Sequence, residues 1–168
     1  MCFHAIVHAQ TQIPIDPSCV NTTSPPELIS YHIHVLFNAN NDHQVHLAID
    51  LQYEFVSAFR VPIGDQENCS FPPGDPHPQQ QAICAYPTAW LPDGPFPTAQ
   101  YSFFVPNKFY SETVQWFMQH RNGLDLLIHL NSGCEIQDHM EWSLWGGRPW
   151  ELNIAAFHCD SPGCIPPP

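Results

Sequence analysis

Tyr31–Phe37, read Tyr-His-Ile-His-Val-Leu-Phe, is the stretch that most restricts how this chain can fold. Side chains alternate across a strand, so Tyr31, Ile33, Val35 and Phe37 share one face while His32 and His34 share the other. The β-branched and aromatic residues suit a strand half-buried in a core. The opposite face presents two imidazoles side by side. Neutral imidazole is the commonest metal-binding side chain and suits iron, zinc, copper and nickel. The chain holds 11 His against 4 Lys+Arg, so histidine here is not part of a general basic character.

A second apolar-periodic pattern follows. Over 41–60, Val45, Ile49, Gln52, Tyr53, Val56 and Phe59 recur at helical spacing, Asn40, Asn41 and Asp42 can cap the start, and Pro62 ends it. Residues 61–78 are a proline-rich loop. Residues 79–86 alternate as a strand, with Gln79, Gln81 and Ile83 on one face and Ala82 and Cys84 on the other. A proline-rich connection over 86–97 leads to a strand at 100–105. Ser111–His120 predicts a second helix with Ser111 as cap and Val114, Phe117 and Met118 on its apolar face, while Trp116 is expected to pack in the core. Asn122-Gly123 stops it, and 124–130 is a strand ending near His129.

The order strand, helix, strand, strand, helix, strand is the ferredoxin-like βαββαβ unit, an α+β fold with helices on one face of its sheet. The other, open face is then expected to carry His32, His34, Gln79, Gln81, Asp125, Leu127 and His129. A chain of 168 residues with 43% hydrophobic content builds one domain. The expected organisation is an arm over 1–30, a domain over 31–153 and a Cys/Pro-rich tail over 154–168. The 19 Pro are spread without a repeat and read as rigid connectors, including extended N- and C-terminal arms.

A net charge of -12 argues against nucleic acid or an anionic membrane as partner, since both need basic patches. No apolar run approaches the roughly 18 residues of a membrane span. Seven Cys with no CxxC pair point to disulfides in an oxidising compartment rather than to a zinc ribbon. The disulfide candidates are Cys2, Cys19, Cys69, Cys134, Cys159 and Cys164, with Cys84 expected as a buried free thiol in an apolar strand. Cys159 and Cys164 can close a small loop in the tail. Two N-glycosylation sequons begin at Asn21 and Asn68. A secreted, extracellular glycoprotein is the expectation. Val7-His8-Ala9 fits a signal-peptidase site, and residues 1–9 read either as a signal remnant or as an added strand.

Four blocks occur in order: Tyr31-His32-Ile33-His34-Val35; Pro76-His77-Pro78; Trp116 through Arg121-Asn122-Gly123-Leu124; and Leu127-Ile128-His129 leading to Asp138-His139 and Trp145-Gly146. Together they resemble the DOPA 4,5-dioxygenase family, small extradiol dioxygenases of fungi and bacteria, over about residues 31–153. The resemblance implies a ferredoxin-like fold, often dimeric, and cleavage of a catechol ring by O2 at a non-haem Fe(II). It implies His34, His77 and His129 as metal ligands, with His32 and His139 as groups that orient a ligand or move protons. Asp138 directly before His139 offers, from the residues alone, an acid/base pair. The chain departs from the family in having Asp75 before Pro76-His77-Pro78, Leu130 after His129, and the insertion 86–97.

Extradiol chemistry needs open positions on the metal, which a facial set of three protein ligands leaves. The usual set contains one carboxylate, for which Asp125, Asp138 and Glu135 are all candidates. Arg121 and Arg148 are the cations able to meet a carboxylated catechol such as DOPA, and Trp145, with Trp116, Trp142 and Trp150, can wall a ring. Another divalent metal in the same site is an alternative to iron. His43, His46, His120 and His158 read as surface or packing residues, and His4 and His8 share strand parity. A different reading is a secreted assembly protein on the same fold. In it the arms pair with neighbouring subunits to give a dimer or filament, and the catalytic site is lost or vestigial.

Overall fold

A computed structural model describes Cys19, Leu28, residues 30–61 and residues 82–157. Strand β1 (Ser30–Phe37) leads into helix α1 (Asp42–Phe59). Strand β2 (Cys84–Ala85) and strand β3 (Ala99–Pro106) follow, and a 3-10 turn at Asn107–Phe109 runs into helix α2 (Tyr110–His120). Strand β4 (Asp125–Asn131), the short helix α3 (Glu135–His139) and strand β5 (Leu144–Gly146) complete the regular elements before a last 3-10 turn at Ile154–Ala156.

The sheet order is β2-β3-β1-β4-β5 with every pairing antiparallel. Its first four strands are the ferredoxin-like arrangement, and β5 is an addition beside β4. The central strand β1 sets the register. His32 lies opposite Phe104 of β3 and His129 of β4, and His34 lies opposite Ser102 and Leu127. Two imidazoles of β1 and one of β4 therefore share a face.

The other face is the main core. Ile33, Val35 and Phe37 of β1, Tyr101, Phe103 and Val105 of β3, and Leu126 and Ile128 of β4 pack under Ala48, Leu51 and Phe55 of α1 and Phe117 of α2. Phe55 sits 4.2 Å from Phe103 and 4.7 Å from Phe117, ring centre to ring centre. Burying side chains of this size stabilises by roughly 1.5–3 kcal/mol each, which makes this the layer that holds the fold together.

Several local expectations are corrected. The buried stripe of α1 is Ala48, Leu51, Phe55 and Val56, while Ile49 and Tyr53 are exposed. Apolar residues occur around most of that helix, and the aromatics of β3 and α2 select the side bearing Leu51 and Phe55. Asn41 caps α1 as expected, its side-chain oxygen accepting from the amides of His43 and Gln44. Ser111 does not cap α2: the helix is continued from the preceding turn, and the Ser111 hydroxyl instead accepts from Gln115. Met118 is exposed, and Trp116 is partly buried against the core as expected. Asn122 and Gly123 both take positive φ and end α2. The strand expected over 79–86 is regular only at Cys84–Ala85 among the described residues.

The histidine face is not open. The loop before β3 and the segment after β5 lie across it, with Phe96 and Leu152 packed on Leu36 and Leu127 and flanked by Trp145 and Trp150. The backbone amide of Asn153 donates to the carbonyl of Pro95 at 2.8 Å and joins the two segments. Among the described residues no helix is long and apolar enough to cross a membrane.

Cys19 is disulfide-bonded to Cys134 across 115 positions of sequence. Cys84 is disulfide-bonded as well, which corrects the free-thiol reading. Its place on an apolar strand gave no sign of this, because a half-cystine is as compatible with burial as a thiol. Cys2, Cys69, Cys159, Cys164, Asn21, Asn68, Gln79, Gln81 and His77 lie outside the described residues.

Candidate metal centre

His32, His34 and His129 each offer a ring nitrogen within 4.8 Å of the other two. Strand alternation puts His32 and His34 on one side of β1, and the β1–β4 register sets His129 directly across from His32. His34 and His129 are buried, at 6% and 2% exposure, and His139 of α3 joins them at 9%. The His139 ring centre lies 3.8 Å from that of His129 and 6.1 Å from that of His34.

The hydrogen bonds determine where the lone pairs point. His129 Nδ1 is 2.7 Å from the Leu130 carbonyl oxygen, and His34 Nδ1 is 3.1 Å from the Gln100 side-chain oxygen. An imidazole nitrogen that meets a carbonyl oxygen must be the N–H, so the lone pair of each ring sits on Nε2. Those two Nε2 atoms face each other at 3.1 Å. With the Gln100 amide oxygen turned to His34 Nδ1, a proton shared between the two Nε2 atoms would need one ring to be charged. Burial, together with neighbouring histidines, holds both rings well below the ordinary histidine pKa, so both are neutral near pH 7.

Two neutral lone pairs in this arrangement repel one another, and a cation placed between them removes the repulsion. Ligand nitrogens about 2.1 Å from one ion and at right angles to each other are about 3.0 Å apart. The donor set therefore fits a metal ion. Gln100 and the Leu130 carbonyl supply the orienting contacts that a metal-binding imidazole needs on its far nitrogen.

His139 donates from Nδ1 to the Glu135 carbonyl at 2.8 Å, which leaves its Nε2 as an acceptor. Burial lowers its pKa to about 4. The Tyr86 hydroxyl stands 3.4 Å from His32 Nε2, and burial pushes the phenol up to about 12, so it carries its proton at neutral pH. Phe96 lies over His34, centroids 4.4 Å apart, and Phe157 lies 4.8 Å from His139. These rings keep water from the nitrogens.

Two of the three carboxylate candidates, Asp125 and Asp138, are engaged elsewhere. Asp125 accepts from the Arg148 amide at 2.8 Å and from Trp150 Nε1 at 2.9 Å. It anchors the turn after β5, where Gly147 has a φ of +107° and leaves the room that Asp125 and Arg121 occupy. Asp138 accepts from the amide and hydroxyl of Ser132 at 2.9 and 2.7 Å, and burial raises its pKa to about 6. Glu135 opens α3, its backbone carbonyl accepts from His139 Nδ1, and partial burial raises the pKa of its carboxyl. Among the described residues the metal-capable group contains three histidines and no carboxylate.

Arg121 binds the Leu124 carbonyl at 2.7 Å, and Arg148 lies over the Trp150 ring. Trp145, opposite Leu127 in the β4–β5 pair, is on the histidine face. Gln100, Tyr86 and Phe96 were not singled out from the sequence. Gln100 and Tyr86 become visible only once β3 is placed beside β1, because each acts across a strand pair.

The chain is similar to known proteins in sequence and in fold. The Dopa 4,5-dioxygenase family profile matches residues 31–156. The chain belongs to the DOPA 4,5-dioxygenase family. The DOPA 4,5-dioxygenase of Amanita muscaria is 24% identical over 139 residues, 81% of this chain and 53% of that protein. The chain thus spans about half the length of that curated relative. A crystal structure of a candidate dioxygenase from Nostoc punctiforme PCC 73102 superposes with a TM-score of 0.59 at 26% identity, covering 77% of this chain and 90% of that one. For a DOPA 4,5-dioxygenase family member, a histidine cluster at the middle of the sheet is the feature with chemical capacity.

Proposed function

We propose that this protein is an extradiol-type dioxygenase that opens a catechol ring with O2 at a non-haem Fe(II) held by His32, His34 and His129. The observation that carries the proposal is the pair of Nε2 lone pairs facing at 3.1 Å, with both Nδ1 atoms bound to carbonyl oxygens. Family membership selects oxygen chemistry among the uses of such a centre. Bound iron(II) would gather the two catechol oxygens and O2 and allow electrons to pass from ring to oxygen, so that both oxygen atoms enter the product.

The chain's own residues do the rest. His34 and His129 hold their nitrogens ready without reorganisation, because each far nitrogen is fixed by a carbonyl. A catechol must lose a proton to chelate, and the neutral His139 Nε2 beside His129 is the acceptor that can take a hydrogen bond from the catechol hydroxyl and orient it. The protonated Tyr86 hydroxyl is a donor at the His32 side. Phe96 and Phe157 exclude water, which strengthens these polar contacts. Trp145 offers a wall for the ring. Arg148 is the more available cation for a substrate carboxylate, since the Arg121 guanidinium is committed to Leu124.

The disulfide Cys19–Cys134 and the bonded Cys84 support placing the protein in an oxidising, extracellular setting. The test of function is oxygen uptake by anaerobically iron-loaded protein given DOPA and simpler catechols. The expected result is stoichiometric O2 consumption with a yellow semialdehyde product. No product from any catechol, with iron bound, refutes the reading.

A further inference from the structure

Helix α3 has five residues, Glu135–His139, too few to hold itself in water. It nevertheless carries His139, whose ring must stay against His129. At its ends the amide of Asp138 donates to the Cys134 carbonyl at 2.8 Å, that of Met140 to Ile136 at 3.0 Å, and that of Trp142 to Gln137 at 2.8 Å. The side chain of Asp138 turns back to Ser132. Among the described residues these hydrogen bonds all lie within residues 132–142, and α3 meets the rest of the fold by packing against β4 rather than by hydrogen bonds that fix its position. The contacts of the His139 ring with Phe96 and Phe157 are apolar and weakly directional.

Cys134 immediately precedes α3 and is joined to Cys19, with both residues buried at 6% and 5% exposure. We propose that the Cys19–Cys134 disulfide is a positioning tie for the histidine site: it anchors the start of α3 and thereby holds His139 against His129. Cys134 is suited to this because its own carbonyl accepts the Asp138 amide, so a displacement at 134 passes directly to the turn bearing His139. Opening the tie takes two electrons and two protons, which break the S–S bond and form two thiols. Dithiothreitol supplies both and becomes its cyclic disulfide. The tie makes the site responsive to the redox state of its surroundings. The link from α3 to catalysis rests on the dioxygenase reading, whereas the link from the disulfide to α3 does not.

The experiment is residue-resolved amide exchange on the full chain, wild type against Cys19→Ser. Expected is at least about tenfold faster exchange at Asp138, Met140 and Trp142, with β1 and β4 unchanged. Unchanged protection at those amides overturns the proposal. Equal acceleration everywhere also overturns it, because the disulfide would then serve only overall stability. If Cys19→Ser does not fold, the same amides are followed in folded wild type exposed to dithiothreitol, and the same two outcomes decide. In parallel, Co(II) affinity and its visible spectrum are compared, with about tenfold weaker binding expected in the variant. Absence of Co(II) binding in the wild type would count against the metal reading and leave the exchange result to judge the tie.

Discussion

His34 and His129 approach each other nitrogen to nitrogen at 3.1 Å, each with its other ring nitrogen on a carbonyl oxygen. The rings are nearly parallel, at 19°, with centres 5.1 Å apart. Two strands that meet in register have brought together two acceptors that have no proton to share, and this is the physical basis for expecting a metal.

Gln100 holds the far side of His34. Gln100→Leu removes that acceptor and leaves the His34 tautomer and orientation unfixed. Metal affinity is expected to drop about 10–100-fold with the fold retained. Gln100→Glu, which keeps the acceptor and adds charge, is expected to bind at least as tightly as wild type. Cobalt titration followed in the visible range measures both, and an unaltered affinity in Gln100→Leu would remove Gln100 from the site.

Asp125 separates two roles that sequence alone left open. Both of its oxygens are occupied by the turn carrying Arg148 and Trp150. Asp125→Ala is expected to cost about 1–3 kcal/mol of stability by leaving the Trp150 and Arg148 donors without their charged partner. Metal stoichiometry is expected to stay intact. Chemical denaturation and metal analysis of the same preparation check this, and loss of the metal would make Asp125 a ligand.

The metal-free protein should lose stability on acidification. His139 is lowered to about 4, while an unfolded histidine titrates near 6.5, so the unfolded chain takes up a proton that the folded chain refuses. Its contribution is present above pH 6.5 and is lost as pH falls toward 4. His34 and His129 shift in the same direction through burial. Asp138, raised to about 6, acts oppositely, because the folded carboxyl is protonated first and adds stability between pH 6 and 4. These neighbours largely offset each other, and His34 and His129 leave a net loss of stability on acidification below the ordinary histidine pKa. Urea midpoints between pH 7 and 4.5 measure it, and a flat or rising stability on acidification would contradict these charge states.

The sequence made β1 legible, because strict alternation with β-branched residues has one structural meaning. The ferredoxin-like order was legible as well, from turn signals such as Asn122-Gly123. The face of α1 was not, since Ile49 and Tyr53 fit an apolar stripe as well as Leu51 and Phe55 do, and only the aromatics across the core decide between them. His32, His34 and His129 stood out by residue type. The parts played by Gln100, Tyr86 and Asp138 depend on strand register and on a local turn, which a single sequence does not encode in any pattern. The bond between Cys19 and Cys134 is one of many pairings that seven cysteines allow.

The most direct test of the account is anaerobic equilibrium dialysis of the full chain against Fe(II), with iron measured per chain in wild type and in His34→Ala and His129→Ala. The account predicts about one tightly held iron in the wild type and loss of most of that affinity in either variant. Failure of the folded wild type to retain iron, or retention undiminished in both variants, would contradict it.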